Sequence, residues 1–95
     1  MPKLTFDDAI AEIVERDPRF HPDSYSLLRD ALDFTMRGIM KKEDEERHVT
    51  GVELLDGFRK HALEEFGPMT FSVLDDWGVS SSANVGEMVF NLIGV

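Results

Sequence analysis

Cysteine is absent from this 95-residue chain. That excludes disulfides, thiolate nucleophiles and zinc sites built on sulfur, and it favours a reducing compartment. Cations are absent from the last third: all ten Lys and Arg lie in residues 1–60 with fourteen acids, whereas residues 61–95 hold five acids and no Lys or Arg. A segment so composed grips phosphates poorly, which disfavours nucleic acid as a partner. Long apolar runs are absent too, none approaching the roughly 18–20 residues that span a bilayer. The opening MPKLTFDDAIAEIVE carries acids where a signal peptide needs an apolar core. These readings predict a soluble, cytoplasmic protein with no membrane partner. There is no Gly-x-Ser-x-Gly elbow, phosphate-binding Gly-x-x-x-x-Gly-Lys loop, dinucleotide fingerprint or His-x-x-x-His pair. No catalytic residue, metal or cofactor is therefore assigned, and a non-enzymatic role is favoured.

The residues present are ordinary for a folded domain, 42% hydrophobic and 31% charged, with a formal net charge of −9. One domain over residues 1–95 is expected. Thr5 with Asp8 resembles a capping box, and Phe6, Ala9, Ile10, Ile13 and Val14 recur at helical spacing, which predicts a first helix over about 6–15. Asp17-Pro18 ends it and Pro22 opens a second, to about Lys42. The apolar face of that second helix comprises Tyr25, Leu28, Ala31, Leu32, Thr35, Met36, Ile39 and Met40, widened by Leu27 and Phe34. Glu43-Asp44-Glu45-Glu46 reads as a solvated connection. Thr50 and Glu53 form a capping box for a third helix with Val52, Leu54, Leu55, Phe58, Ala62, Leu63 and Phe66 on its apolar face, stopped by Gly67-Pro68. A short fourth helix runs from there to Trp77-Gly78. A Ser-rich turn and an N-cap at Asn84 precede a last apolar stripe of Met88, Val89, Leu92 and Ile93.

The side chains that could carry chemistry are few. The histidines, His21, His48 and His61, are 27 and 13 residues apart. Glu45-x-x-His48 has di-iron ligand spacing, but such a site needs a second pair and two further carboxylates. Arg47 and His48 precede a helix N-terminus, where an anion could meet free amides. His61 flanks the core face of the third helix, where a packed ring needs no further role. Arg19, His21, Arg47, His48 and His61 are thus a candidate anion or ligand site, on condition that the two Arg-and-His segments meet in space. The C-terminal half has the spacing of a helix-turn-helix, with Val85 to Ile93 in the recognition position. That helix offers Asn84, Glu87 and Asn91 but no cation. The nearly uncharged end of the chain reads either as a buried core helix or as a partner surface, for which Met88, Phe90 and Ile93 are the candidates.

Taken together, Phe6-x-x-Ala9, Asp17-Pro18-Arg19-Phe20-His21-Pro22, Tyr25, Ala31-Leu32-Asp33-x-Thr35, Arg47-His48-Val49-Thr50-Gly51-x-Glu53-Leu54-Leu55, Phe66-Gly67-Pro68-Met69, Trp77-Gly78 and Gly86-Glu87-x-Val89-Phe90 span nearly the whole chain. In these motifs the sequence resembles the Minf-type family of small bacterial proteins, a family with no assigned activity, substrate or cofactor. The resemblance implies a bacterial source and carries over no functional residue. It also implies that relatives continue past Val95 with an acidic segment, so this chain is expected to be a truncated or short member.

The resulting expectation is an all-α domain of about five helices. The long second helix packs on the first and third, and the last two close the far side. A protein partner or self-association is the favoured function. A nucleic-acid binder of helix-turn-helix type and a binder of small anions or metabolites are the alternatives.

Overall fold

The structure is a computed structural model that describes residues 5–43 and 48–94. Within those residues every regular element is helical: α1 Phe6–Arg16, α2 Pro22–Glu43, α3 Gly51–Phe66, α4 Thr70–Asp76 and α5 Ser82–Ile93. Four of these helices have eleven residues or more. The seven-residue α4 is joined to α3 by a single 3-10 turn, Gly67–Met69.

Helix starts are written in local chemistry. The Asp8 amide donates to Thr5 Oγ1 at 3.1 Å and the Thr5 amide to Asp8 Oδ2 at 3.2 Å, so the reciprocal box opens α1. Thr50 and Glu53 do the same for α3, at 3.2 and 3.0 Å. The start of α5 departs from expectation. Its N-cap is Ser81, and Asn84 is the box partner, its Oδ1 accepting the Ser80 and Ser81 amides at 3.0 and 3.1 Å. The Asn84 side chain reaches back over three residues and closes the turn that Ser81 opens.

Helices α2 and α3 run antiparallel and make the main packing pair. Thr35 of α2 lies against Gly57 of α3, and the Phe34 ring lies 5.6 Å from that of His61. A Cβ at Gly57 would fall inside the Thr35 hydroxyl, so the absent side chain sets how closely the two axes approach. Helix α1 packs on α2 and α5, and α4 folds back on α3. Ile10, Ile13, Phe20, Tyr25, Leu27, Leu28, Ala31, Phe58, Ala62, Val79, Val85 and Met88 are the continuous core.

The molecule measures 40 × 39 × 20 Å, about two helix diameters thick. In so flat a body each helix keeps an outer face. Leu32, Phe34 and Met40 of α2, and Val52 and Leu63 of α3, were expected on packed stripes but are exposed. Periodicity assigns them to an apolar face, yet the helices of the described residues are too few to cover its full width. Met88 errs in the opposite sense. Offered as partner surface, it is fully buried at 0% exposure and belongs to the core.

Because Gly57 sits against the Thr35 hydroxyl, Gly57→Ala is expected to destabilise the fold by about 1–3 kcal/mol in urea unfolding, an overpacking cost. Thr35→Ala in the same chain should recover part of that loss. Additive effects of the two substitutions would show that this contact does not set the α2–α3 distance.

Candidate functional site

The turn between α1 and α2, residues 17–21, is held against the turn between α4 and α5. The His21 amide donates to the Trp77 carbonyl at 3.0 Å. Gly78 follows with φ of 87°, and a Cβ there would fall inside the Arg19 carbonyl oxygen. Only glycine allows both that backbone conformation and that approach. The His21 ring stacks on Trp77 at 5.7 Å with planes 20° apart, and Trp77 meets Phe66 edge-on at 5.6 Å. His21 also starts α2. Its Nδ1 accepts the Asp23 amide at 3.0 Å, and its carbonyl accepts the Ser24 amide and hydroxyl at 2.9 and 2.6 Å.

Arg19 leaves the same turn toward α5. Its Nε and Nη2 bind Asp17 in a two-pronged pair at 2.8 and 2.7 Å, and Nη1 binds Glu87 at 2.5 Å. Asn91 donates to both Asp17 Oδ2 and the Tyr25 hydroxyl at 3.1 Å, and Asn84 donates to Glu87 at 3.1 Å. Burial raises the Tyr25 phenol above its ordinary pKa, so it stays a neutral acceptor here. This network joins α1, α2 and α5. It was not legible in the sequence, because Arg19 and Glu87 lie 68 positions apart. The hint was the presence of Asn84, Glu87 and Asn91 in a helix whose other residues are small or apolar.

These contacts decide the fate of the proposed anion site. Arg19 is committed to two carboxylates and His21 to a cap and a stacked ring. His61 rests on Phe34 midway along α2, its side chain 15% exposed and its Nε2 4.0 Å from Glu65. His48 is exposed just before α3. Since α3 runs antiparallel to α2, His48 lies toward the end of α2 remote from His21, along a helix about 30 Å long at 1.5 Å per residue. Arg47 lies outside the described residues. The described members, Arg19, His21, His48 and His61, do not converge. Asn84, Glu87 and Asn91 of α5, the polar residues of the helix-turn-helix reading, are bonded internally. Among the described residues no group of three or more His, Asp or Glu could hold a metal, and no helix is long and apolar enough to cross a membrane.

What the structure offers instead is an open groove of about 450 Å³ between α3, α4 and the start of α5. Its floor is core: Phe58, Ala62, Val79 and Val85. Its walls are Val52 and Phe71, each 81% exposed, with Leu63 beside them. Thr70, the buried polar side chain there, is satisfied by the Gly67 carbonyl at 2.5 Å. A second groove of about 520 Å³ lies between the end of α2 and the start of α3, where Arg37, Lys41, Lys42 and Lys60 mix with Glu53 and Asp56. Arg37 pairs with Asp33 at 2.7 Å and Lys60 with Asp56 at 2.9 Å, which spends part of that charge. Sequence reading singles out neither groove, although it places Val52 and Leu63 on an apolar face. Of the C-terminal candidates, Phe90 and Ile93 are exposed, at 75% and 77%. No protein-family model, curated protein or solved structure matches the chain.

The Asp17–Arg19–Glu87 network makes acid stability a readable property. Arg19 holds Asp17 far below the ordinary carboxylate range, with Asn91 adding to it, and Arg19 and Asn84 lower Glu87. In the unfolded chain both acids titrate near about pH 4, so the unfolded state binds more protons in that window. The stabilisation is complete above it and is lost as pH falls through the lower folded-state values. The urea midpoint is expected to drop from about pH 6 to about pH 3, and Asp17→Asn should lower it at pH 6 while flattening the acid limb. Parallel pH profiles for the two proteins would contradict this.

Proposed function

We propose that this protein is a non-enzymatic interaction module of the bacterial cytoplasm, which docks a protein partner through the groove between α3, α4 and α5. The observation that carries the reading is the exposure of Val52 and Phe71 over a floor of buried core residues. Contiguous apolar surface of this kind, rimmed by polar residues, characterises protein interaction sites. The absence of cysteine supports a reducing location, and the distance of Arg19 and His21 from His48 and His61 favours an interaction role over a shared anion site. The resemblance to the Minf-type family belongs to the same reading. Two stretches that carry it, Asp17–Pro22 and Trp77–Gly78, lie against each other and have structural work there. On this view the shared motifs describe a scaffold.

A photo-crosslinking amino acid placed at Phe71 in bacterial cells should give discrete adducts of protein size, and the same residue at Asp30, on an exposed part of α2, should give none. No adduct from Phe71, together with thermal stabilisation by members of a metabolite panel, would transfer the groove to a small-molecule role.

A further inference from the structure

We infer that the groove pairs two copies of this chain, with α3 lying antiparallel on its counterpart across a twofold axis. The inference rests on the interaction reading above and names the partner.

The outer stripe of α3 is its own complement. Val52, Asp56, Arg59 and Leu63 all line the groove, and steps of four, three and four residues set them in one row along the helix. Val52 and Leu63 have the same midpoint in the chain as Asp56 and Arg59, between Gly57 and Phe58. A twofold axis through that midpoint places Val52 on the partner's Leu63 and Asp56 on the partner's Arg59, and each contact occurs twice. Apolar ends then meet apolar ends, and opposite charges meet in the middle. Within one chain Lys60 lies 2.9 Å from Asp56, whereas Arg59 lies 3.5 Å away with its side chain 67% exposed. Arg59 is thus the looser neighbour and can reach across the axis while Lys60 keeps Asp56 paired. An unrelated protein would have to supply this pattern; a second copy already carries it.

The rest of the lining suits an interface. Phe71 stands exposed beside the stripe as a side wall. The Ser80 and Ser81 hydroxyls are bonded to Asn84 Oδ1 at 3.2 Å, and with Ser82 they make a polar rim around the apolar patch. The chain exposes 6654 Å², against roughly 5,500 Å² for a monomer of 10.8 kDa. That excess, roughly 1,100 Å², is larger than the about 800 Å² each partner buries in an interface of standard size. The net charge of −9 repels a second copy at a distance, but Asp56 and Arg59 leave the lining itself neutral, and physiological salt screens exposed charges beyond about 8 Å.

Sedimentation equilibrium of the full chain at tens of micromolar and physiological salt should give a mass approaching twice 10.8 kDa. Asp56→Arg and Arg59→Asp should each weaken dimerisation at least about tenfold, since each sets like charges against each other across the axis. An equimolar mixture of the two variants should form a heterodimer within about threefold of the original affinity, because the reversed charges face their opposites again. Recovery on mixing also shows that both variants fold. Val52→Lys should weaken dimerisation at least about tenfold, and Phe90→Ala, on the outer face of α5, should leave it within about twofold. The inference is overturned if the chain stays monomeric, if the single charge reversals change nothing, if mixing restores nothing, or if Phe90→Ala dissociates the dimer. A monomer whose Phe71 photo-crosslinks run to other proteins would overturn the second copy alone and leave the interaction reading standing. Absence of any Phe71 adduct would end both.

Discussion

The fold depends on the close approach of two turns that are far apart in the chain. Residues 17–21 and 77–78 meet through one backbone hydrogen bond, His21 to Trp77, and through the bare Cα of Gly78 beneath the Arg19 carbonyl. That contact brings the ends of α1 and α2 to the junction of α4 and α5. It buries Phe20 and Val79 and places Arg19 where it can bind Glu87. Without it α5 would keep its apolar contacts but would lose the polar groups that orient it. Apolar burial is non-directional; hydrogen bonds and steric exclusion select one arrangement.

The same economy creates the candidate site. Holding α4 and α5 through their turns lets α4 stop after seven residues, too short to roof α3. The outer face of α3 is left open, with Val52 and Leu63 along it and Phe71 opposite. Buried core residues become the floor of the groove because no further layer among the described residues covers them. An exposed apolar wall of this kind needs no strained backbone or buried charge to form.

Sequence reading reached the elements and not their meeting. The Thr5–Asp8 and Thr50–Glu53 boxes, the breaks at Asp17-Pro18 and Gly67-Pro68, and the stop at Gly78 are local chemistry, and the structure repeats them. The short reach of a side chain along its own helix is visible in spacing alone. Arg19 with Glu87, Asn91 with Tyr25, and Gly78 with Arg19 require knowledge of which ends approach, and no periodicity encodes that. Met88 and Val52 show the limit from both sides. One sat on a stripe offered as surface and is core, the other sat on a stripe expected to pack and is open. A hydrophobic stripe records that a face is apolar; the number of helices available decides how much of it is covered. Arg47 and the acidic stretch 44–46 lie outside the described residues, so those expectations meet no structural comparison.

Two glycine substitutions compared in urea unfolding test the central role of the turn contact. Gly67 and Gly78 both have positive φ, 52° and 87°, but a Cβ at Gly67 meets nothing, whereas one at Gly78 meets the Arg19 carbonyl. Gly67→Ala should cost about 1–2 kcal/mol of backbone strain, and Gly78→Ala about 2 kcal/mol more as the turns are forced apart. Equal losses for the two variants would contradict the account, because strain alone would then explain both.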